Sequence, residues 1–255
     1  MKTFTHTIFI ILLGGLATMS GSAQWSTDAA ENNLVTGSEK DQREAVVISD
    51  GAGGVFIAWR DYQYTTSIFG GEIHAQRLNS EGIIQWDANG IGVNAGSLNK
   101  GHFSPVMTGD GHGGAILGWG RNMGSLYNYD VFAQKLDPDA AKKWPLNGVT
   151  VSDASGTESF HQVISDDSSG AIFTWQHLPG TPGSTDIYAQ RVDSAGNVRW
   201  VEDGVEICMA AESQSWPKLV GDGASGAIIT WADSRDGMGE SDIYAQRIDA
   251  MGTVQ

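Results

Sequence analysis

The sequence predicts an all-β fold: a β-propeller or partial propeller of four repeats of about 56 residues, each with four antiparallel strands. Three observations predict it. A tryptophan recurs at Trp59, Trp119, Trp175 and Trp231, spaced by 60, 56 and 56 residues. An Ala-Gln dipeptide recurs at 75–76, 133–134, 189–190 and 245–246, spaced by 58, 56 and 56. Between them run short stretches rich in β-branched and aromatic residues, punctuated by Gly, Asp, Asn and Ser, with no long helical periodicity after the leader.

The third unit shows the elements in order. Strand a covers His161 to Ser165, and the turn Asp166 to Gly170 leads into strand b, Ala171 to Trp175. A longer loop, 176–185, leads to strand c, Asp186 to Asp193. A turn at 194–197 opens strand d, from Val198 through Trp200 to Ile207. Strand d carries a second recurring tryptophan, Trp86, Trp144 and Trp200, and Trp25 looks like an earlier copy. Strands b and c are apolar on both faces, as sheets packed between two neighbours require. Four short strands per unit is the arithmetic of a propeller blade. A β-solenoid has shorter coils, and a 56-residue unit without disulfides is too small to be stable alone.

Residues 1–23 read as a signal peptide: Lys2, then the apolar run Ile8 to Leu16, then small residues up to a cleavage site after Ala23. The apolar run is too short to span a bilayer. Removing 23 of the 255 residues leaves a repeat domain, 24–255, expected to continue beyond the C-terminus. Export to the cell surface, the extracellular space or the periplasm is expected. Loss of Lys2 takes the net charge from −15 to −16, which argues against nucleic acid as a partner. The single cysteine, Cys208, precludes an internal disulfide and is expected to be a small buried apolar group.

Comparison of the four copies separates scaffold from free surface. Asp50, Asp110, Asp166 and Asp222 recur at the end of strand a, and Gly54, Gly114, Gly170 and Gly226 open strand b. This pattern suits a turn in which the carboxylate accepts backbone N–H groups and glycine takes a positive φ. Calcium is the alternative at these oxygens, with no other cofactor expected. The strand-b tryptophans are expected to be buried wedges between blades. Gln76, Gln134, Gln190 and Gln246 are expected to pair with backbone. By strand parity, the long, unlike b–c and d–a loops gather at one end of the blades. That end collects Tyr62, Tyr64, Phe69, His102, Tyr127, Tyr129, His177, Asp233, Arg235, Asp236 and Glu240. Among them Tyr62, Tyr64, Tyr127, Tyr129, His177, Asp233 and Arg235 are the candidate binding residues for a saccharide or protein ligand.

The pattern Asp-Gly-x-x-Gly, then Trp-x-Asp-x-Arg, then Asp-Ile-Tyr-Ala-Gln-Arg is fullest between Asp222 and Arg247. It resembles the tandem repeats of secreted bacterial propeller-like proteins. The resemblance covers 24–255 and implies an architecture, with no activity attached. The Trp-x-Asp-x-Arg segment is intact only at Trp231, Asp233 and Arg235.

Three functions remain open at this point. The first expectation is an extracellular or cell-surface binding module using the variable loop face. The alternative is a propeller-type glycoside hydrolase or lyase. The third is a structural repeat without a specific ligand. The sialidase Asp-box is not matched; Ser165 to Ser169 comes nearest and lacks the spacing to Trp175. The chain opens on a lone d-type strand, Trp25 to about Val35, which either closes a four-bladed ring against 242–249 or belongs to a longer array; the longer array is preferred.

Overall fold

The Asp-to-Gly segment closing each strand a sets the geometry of every repeat. The computed structural model describes residues 25–63, 70–94, 101–124, 128–180, 183–237 and 239–255; the leader, Tyr64, Phe69 and Tyr127 lie outside them. All regular elements among these residues are β-strands. The first blade holds β1 (Gln42–Ser49), β2 (Val55–Asp61), β3 (Glu72–Leu78) and β4 (Ile91–Gly92). The second holds β5 (His102–Gly109), β6 (Ala115–Asn122), β7 (Tyr129–Leu136) and β8 (Val149–Ser152). The third holds β9 (Thr157–Ser165), β10 (Ala171–Leu178), β11 (Asp186–Val192) and β12 (Val205–Cys208). The fourth holds β13 (Gln214–Gly221), β14 (Ala227–Asp233) and β15 (Asp242–Ile248). Each blade is an antiparallel meander, and a single parallel pair, Tyr129 with Thr157, joins the second to the third.

Asp166 Oδ1 accepts the N–H of Ser168 at 2.8 Å and of Gly170 at 2.7 Å, while Oδ2 lies 2.8 Å from the Arg191 guanidinium. Asp50 with Arg77, Asp110 with Lys135 and Asp222 with Arg247 repeat the arrangement. These carboxylates face backbone donors and a cation, surroundings that stabilise the carboxylate anion. The invariant glycine has a different reason from the expected one. Positive φ falls on the residue before it (Gly53, Gly113, Ser169, Ser225). Gly170 is required because a Cβ there would stand 2.3 Å from the Val192 carbonyl oxygen. A matching Asx turn joins strands c and d: Asp193 Oδ1 accepts the N–H of Ala195 and of Asn197, each at 2.9 Å.

The strand-b tryptophans are buried, between 0 % and 4 % exposed. Each rests on a strand-c ring: Trp175 on Tyr188 and Trp231 on Tyr244, at 6.3 and 6.4 Å. Strand d is shorter than expected because the chain turns at Val201–Gly204 to cover the edge of Trp175, where a Cβ on Gly204 would lie 2.6 Å from the ring. Gln190 fixes that turn: Oε1 accepts the Trp200 N–H at 3.0 Å and Nε2 donates to the Val201 carbonyl at 2.7 Å. Gln76 and Gln134 do the same in their blades.

The second tryptophans tie each blade to the next. Trp86 Nε1 donates to Pro138 O at 2.9 Å, Trp144 to Ser194 O at 3.2 Å, and Trp200 to Ala250 O at 3.2 Å. Trp25 donates to Ser80 O at 2.9 Å, so it is the earlier copy. Residues 25–35 thus meet the first blade's c–d turn and form no ladder with β15, which sets aside the ring-closing arrangement. Every strand a also carries a bulge opposite the buried tryptophan, with Glu44, Ser104, Phe160 and Trp216 at φ between 51° and 58°.

Candidate active site

The end of the blades that bears the b–c and d–a loops is lined by a layer of polar residues fixed by strand register. In each blade the first residue or two of strand a, the end of strand b and the start of strand c lie side by side. The rows are Gln42–Asp61–Glu72, His102–Arg121–Asp130, Glu158–His177–Asp186 and Gln214–Asp233–Asp242. Asp61, His102, Asp130, Glu158, His177, Asp186, Gln214 and Asp233 are all buried. An apolar residue would be the ordinary occupant of such a position.

The rows differ in what they do with their charge. In the first and fourth blades the strand-b residue is an aspartate that accepts the indole N–H two residues back: Trp59 to Asp61 at 3.3 Å and Trp231 to Asp233 at 2.8 Å. Arg235 Nη2 lies 2.6 Å from Asp233 Oδ2 and holds that carboxyl well below the usual range. In the second blade Arg121 replaces the aspartate, and Trp119 Nε1 has no hydrogen-bond partner. Arg121 Nε, Thr157 Oγ1 and Glu158 Oε2 are likewise buried without one. Buried polar atoms left unmatched in this way need an explanation.

The second and third blades meet here. The Tyr129–Thr157 pair sets Asp130 and Glu158 next in register. His177 Nδ1 lies 3.1 Å from Glu158 Oε1, and Ser152 Oγ donates to the same oxygen at 3.4 Å. Burial, with the nearby carboxylates of Glu158, Asp153 and Asp203, pushes Asp130 up to about 6; Arg121 opposes the shift. Burial also raises Glu158, against the pull of His177. Burial raises Asp186 as well. Beside them opens a cavity of about 520 Å3 lined by His177, Tyr188, Asp203, Gly204 and Glu206, within the range of small-ligand sites. Among the described residues no group of three or more His, Cys, Asp or Glu is arranged to hold a metal ion.

The residues singled out in the sequence do not form one surface. Tyr64 and Tyr127 lie outside the described residues. Tyr62 is covered by the guanidinium of Arg60, 4.8 Å from its ring. Tyr129 packs edge-on against Phe103 at 5.0 Å, beside a cavity of about 150 Å3. Arg235 lies over Tyr244 at 3.8 Å and, with Asp233, braces the fourth blade. Cys208 packs against the core between the third and fourth blades as expected but is only half-buried, with Arg235 at 3.3 Å and Asp233 at 3.7 Å from its sulfur. Among the described candidates, His177 and Tyr129 belong to the junction of the second and third blades, Tyr129 through its pairing with Thr157. Sequence reasoning missed Asp130, Glu158 and Asp186. The signal was present as three columns that are polar in every copy: Gln, His, Glu and Gln on strand a, Asp, Arg, His and Asp on strand b, and an acid throughout on strand c.

No family model and no curated protein matches the chain. Solved structures do. A Hadza microbial sialidase superposes with a TM-score of 0.51 at 11 % identity, covering 84 % of this chain and 46 % of that one, so this chain spans about half its length. An endo-arabinase from Bacteroides thetaiotaomicron VPI-5482 gives 0.49 at 12 % identity, covering 84 % and 78 %. A GH43 endo-arabinanase from Bacillus licheniformis gives 0.43 at 14 %, covering 84 % and 76 %. The fold defines the class: an all-β propeller. The first functional expectation is corrected here. The sialidase that shares this fold bears the name of an enzyme, in keeping with the alternative reading, and of the described aromatics Tyr62 lies under the Arg60 guanidinium and Tyr129 packs edge-on against Phe103.

Proposed function

We propose that the chain is a propeller-type glycoside hydrolase. The observation that carries the reading is Asp130, a carboxyl raised to about 6 within a group of acids at the loop-bearing end of two blades. Glycosidic hydrolysis needs a carboxyl that holds a proton near neutral pH and a second carboxylate that does not. Asp130 has the first property, and the raised Glu158, gripped by His177 and Ser152, is placed to keep it there by repulsion. Asp203, on the cavity wall and close enough to Asp130 to raise it, is the candidate for the second. The names of the structural neighbours favour the same class, and the leader expected at 1–23 suits a polymer outside the cell.

The test is hydrolysis of aryl glycosides of arabinose, xylose and sialic acid, and of arabinan, by the purified chain. Asp130→Asn should lower kcat by about 100-fold or more, the usual size of a lost proton donor. The wild-type rate should fall as pH rises past about 6, where Asp130 loses its proton. Silence across the whole panel, or a full rate in Asp130→Asn, sinks the reading.

A further inference from the structure

We propose that Phe160 and Trp216 form a stacking platform for the sugar rings of an uncharged oligosaccharide, bordering the acids of the second and third blades. The platform comes from the strand-a bulge. Each bulge holds one residue at a φ between 51° and 58°, and in every blade that residue is exposed: Glu44, Ser104, Phe160 and Trp216. The second and third blades are packed on both sides, so the exposure belongs to the bulge itself. A left-handed backbone suits Gly or Asn and strains a bulky side chain. The first two blades place Glu and Ser there, so the fold does not require a ring. The third and fourth accept the strain and leave Phe160 54 % and Trp216 61 % exposed. Strain of this kind, repeated in neighbouring blades for rings that touch solvent, is the mark of a functional constraint.

The two rings belong to one surface. The strands a of successive blades lie next to one another. The Trp216 N–H donates to Gln176 Oε1 at 3.3 Å, and Gln176 pairs with Ser159, the residue before Phe160. Lys218 Nζ donates to Gln162 Oε1 at 3.2 Å and carries the junction further. Aromatic faces with amide and ammonium groups at their margin match a sugar ring, which is apolar on its faces and hydroxylated around its edge. The choice of a saccharide rests on the glycosidase reading. Phe160 is two residues from Glu158, about 7 Å along a strand, so a glycan stacked here leads toward the acid layer. Charge selects among glycans: the chain carries a net charge of −15, and the layer holds Asp130, Glu158 and Asp186. Chains of uronic or sialic acid are repelled from such a surface, and an uncharged glycan is not.

The test titrates the Asp130→Asn chain, in which cleavage is suppressed, with linear neutral oligosaccharides of arabinose, xylose, glucose, galactose and mannose and with oligogalacturonate, by calorimetry and tryptophan fluorescence. At least one neutral oligosaccharide should bind and shift the emission to the blue as Trp216 leaves water; oligogalacturonate should not bind. Phe160→Asn and Trp216→Asn, each added to that chain, should weaken binding about 10-fold, and the second should abolish the emission shift. Tm should hold or rise in both, because asparagine tolerates a left-handed backbone better than a ring does. No binding across the neutral set, tighter binding of oligogalacturonate, unchanged affinity in both variants, or affinity lost only together with Tm overturns the proposal. Aryl glycosides cut by the wild-type chain while both variants bind oligosaccharide undiminished would remove the platform alone. An oligosaccharide bound through both rings by a chain that cuts no aryl glycoside would remove the glycosidase reading and leave the platform.

Discussion

The outer blades and the inner blades place different groups in the same layer. In the first and fourth, an aspartate at the end of strand b takes the indole N–H of the buried tryptophan, so the charge is spent on bracing. In the second and third, Arg121 and His177 stand there instead, strand c keeps its acid as in every blade, and Glu158 adds a buried acid on strand a of the third. One scaffold thus tolerates two electrostatic solutions, because the Trp wedge, the Gln clamp and the Asp turn below the layer carry the fold in every blade. Where the layer is freed from bracing, carboxyl groups with raised affinity for protons collect.

The largest effect expected from breaking this comparison is on the wedge. Trp175→Ala should cost about 3–5 kcal/mol in urea denaturation, the range for removing a fully buried large ring. Trp231→Phe should cost more than Trp119→Phe, since only Trp231 gives up a hydrogen bond to an acceptor. A Trp119→Phe variant less stable than Trp231→Phe breaks the distinction between the blades.

A smaller effect concerns pH. Asp130, raised to about 6, binds a proton in the folded chain that the unfolded chain has shed above its ordinary value near 4, so its contribution to stability falls as pH rises through that window. His161 is fully buried in the same region of the inner blades, its Nε2 2.6 Å from the Ser104 carbonyl oxygen, and burial lowers it to about 4. The unfolded chain protonates that imidazole below about 6.5 and the folded chain does not, so its contribution falls as pH drops. Between pH 4 and 6 the two oppose each other at roughly 1.4 kcal/mol per unit each. Relative to the wild type, stability should fall more steeply on acidification in Asp130→Asn and less steeply in His161→Gln. Parallel slopes for the three chains would show that neither group is perturbed as described.

The smallest effect compares one ion pair in two settings. Arg191 and Arg247 make the same contact with the Asp of the a–b turn, at 2.8 Å in both, but Arg191 is 17 % exposed and Arg247 48 %. Solvent weakens the second pair. Arg191→Ala should therefore lower Tm by more than Arg247→Ala, measured by calorimetry.

Much of the scaffold was legible in the sequence because it repeats. Trp175, Gln190, Asp166 and Gly170 each recur in all four copies, and each proved to serve its own blade. The reason for Gly170 was not legible, since a close carbonyl 2.3 Å from a missing Cβ exists only once strand c lies alongside. The Asx turn between strands c and d was hidden by Asn79, which stands where the other copies have aspartate. The polar layer was hidden more deeply. Glu158, His177 and Asp186 are 19 and 9 residues apart in sequence and become neighbours only through register, which the position of the strand-a bulge decides.

The tryptophan that each blade lends to its successor has a consequence for how the molecule comes apart. A turn held by Trp86, Trp144 or Trp200 is anchored from outside its own blade, so a blade that opens also releases the outer turn of the one after it. Energetically the molecule is then a one-dimensional row of units in which nearest-neighbour coupling is a large share of the total. In such a row the loss of one blade passes to its neighbour, as one tooth of a zipper frees the next.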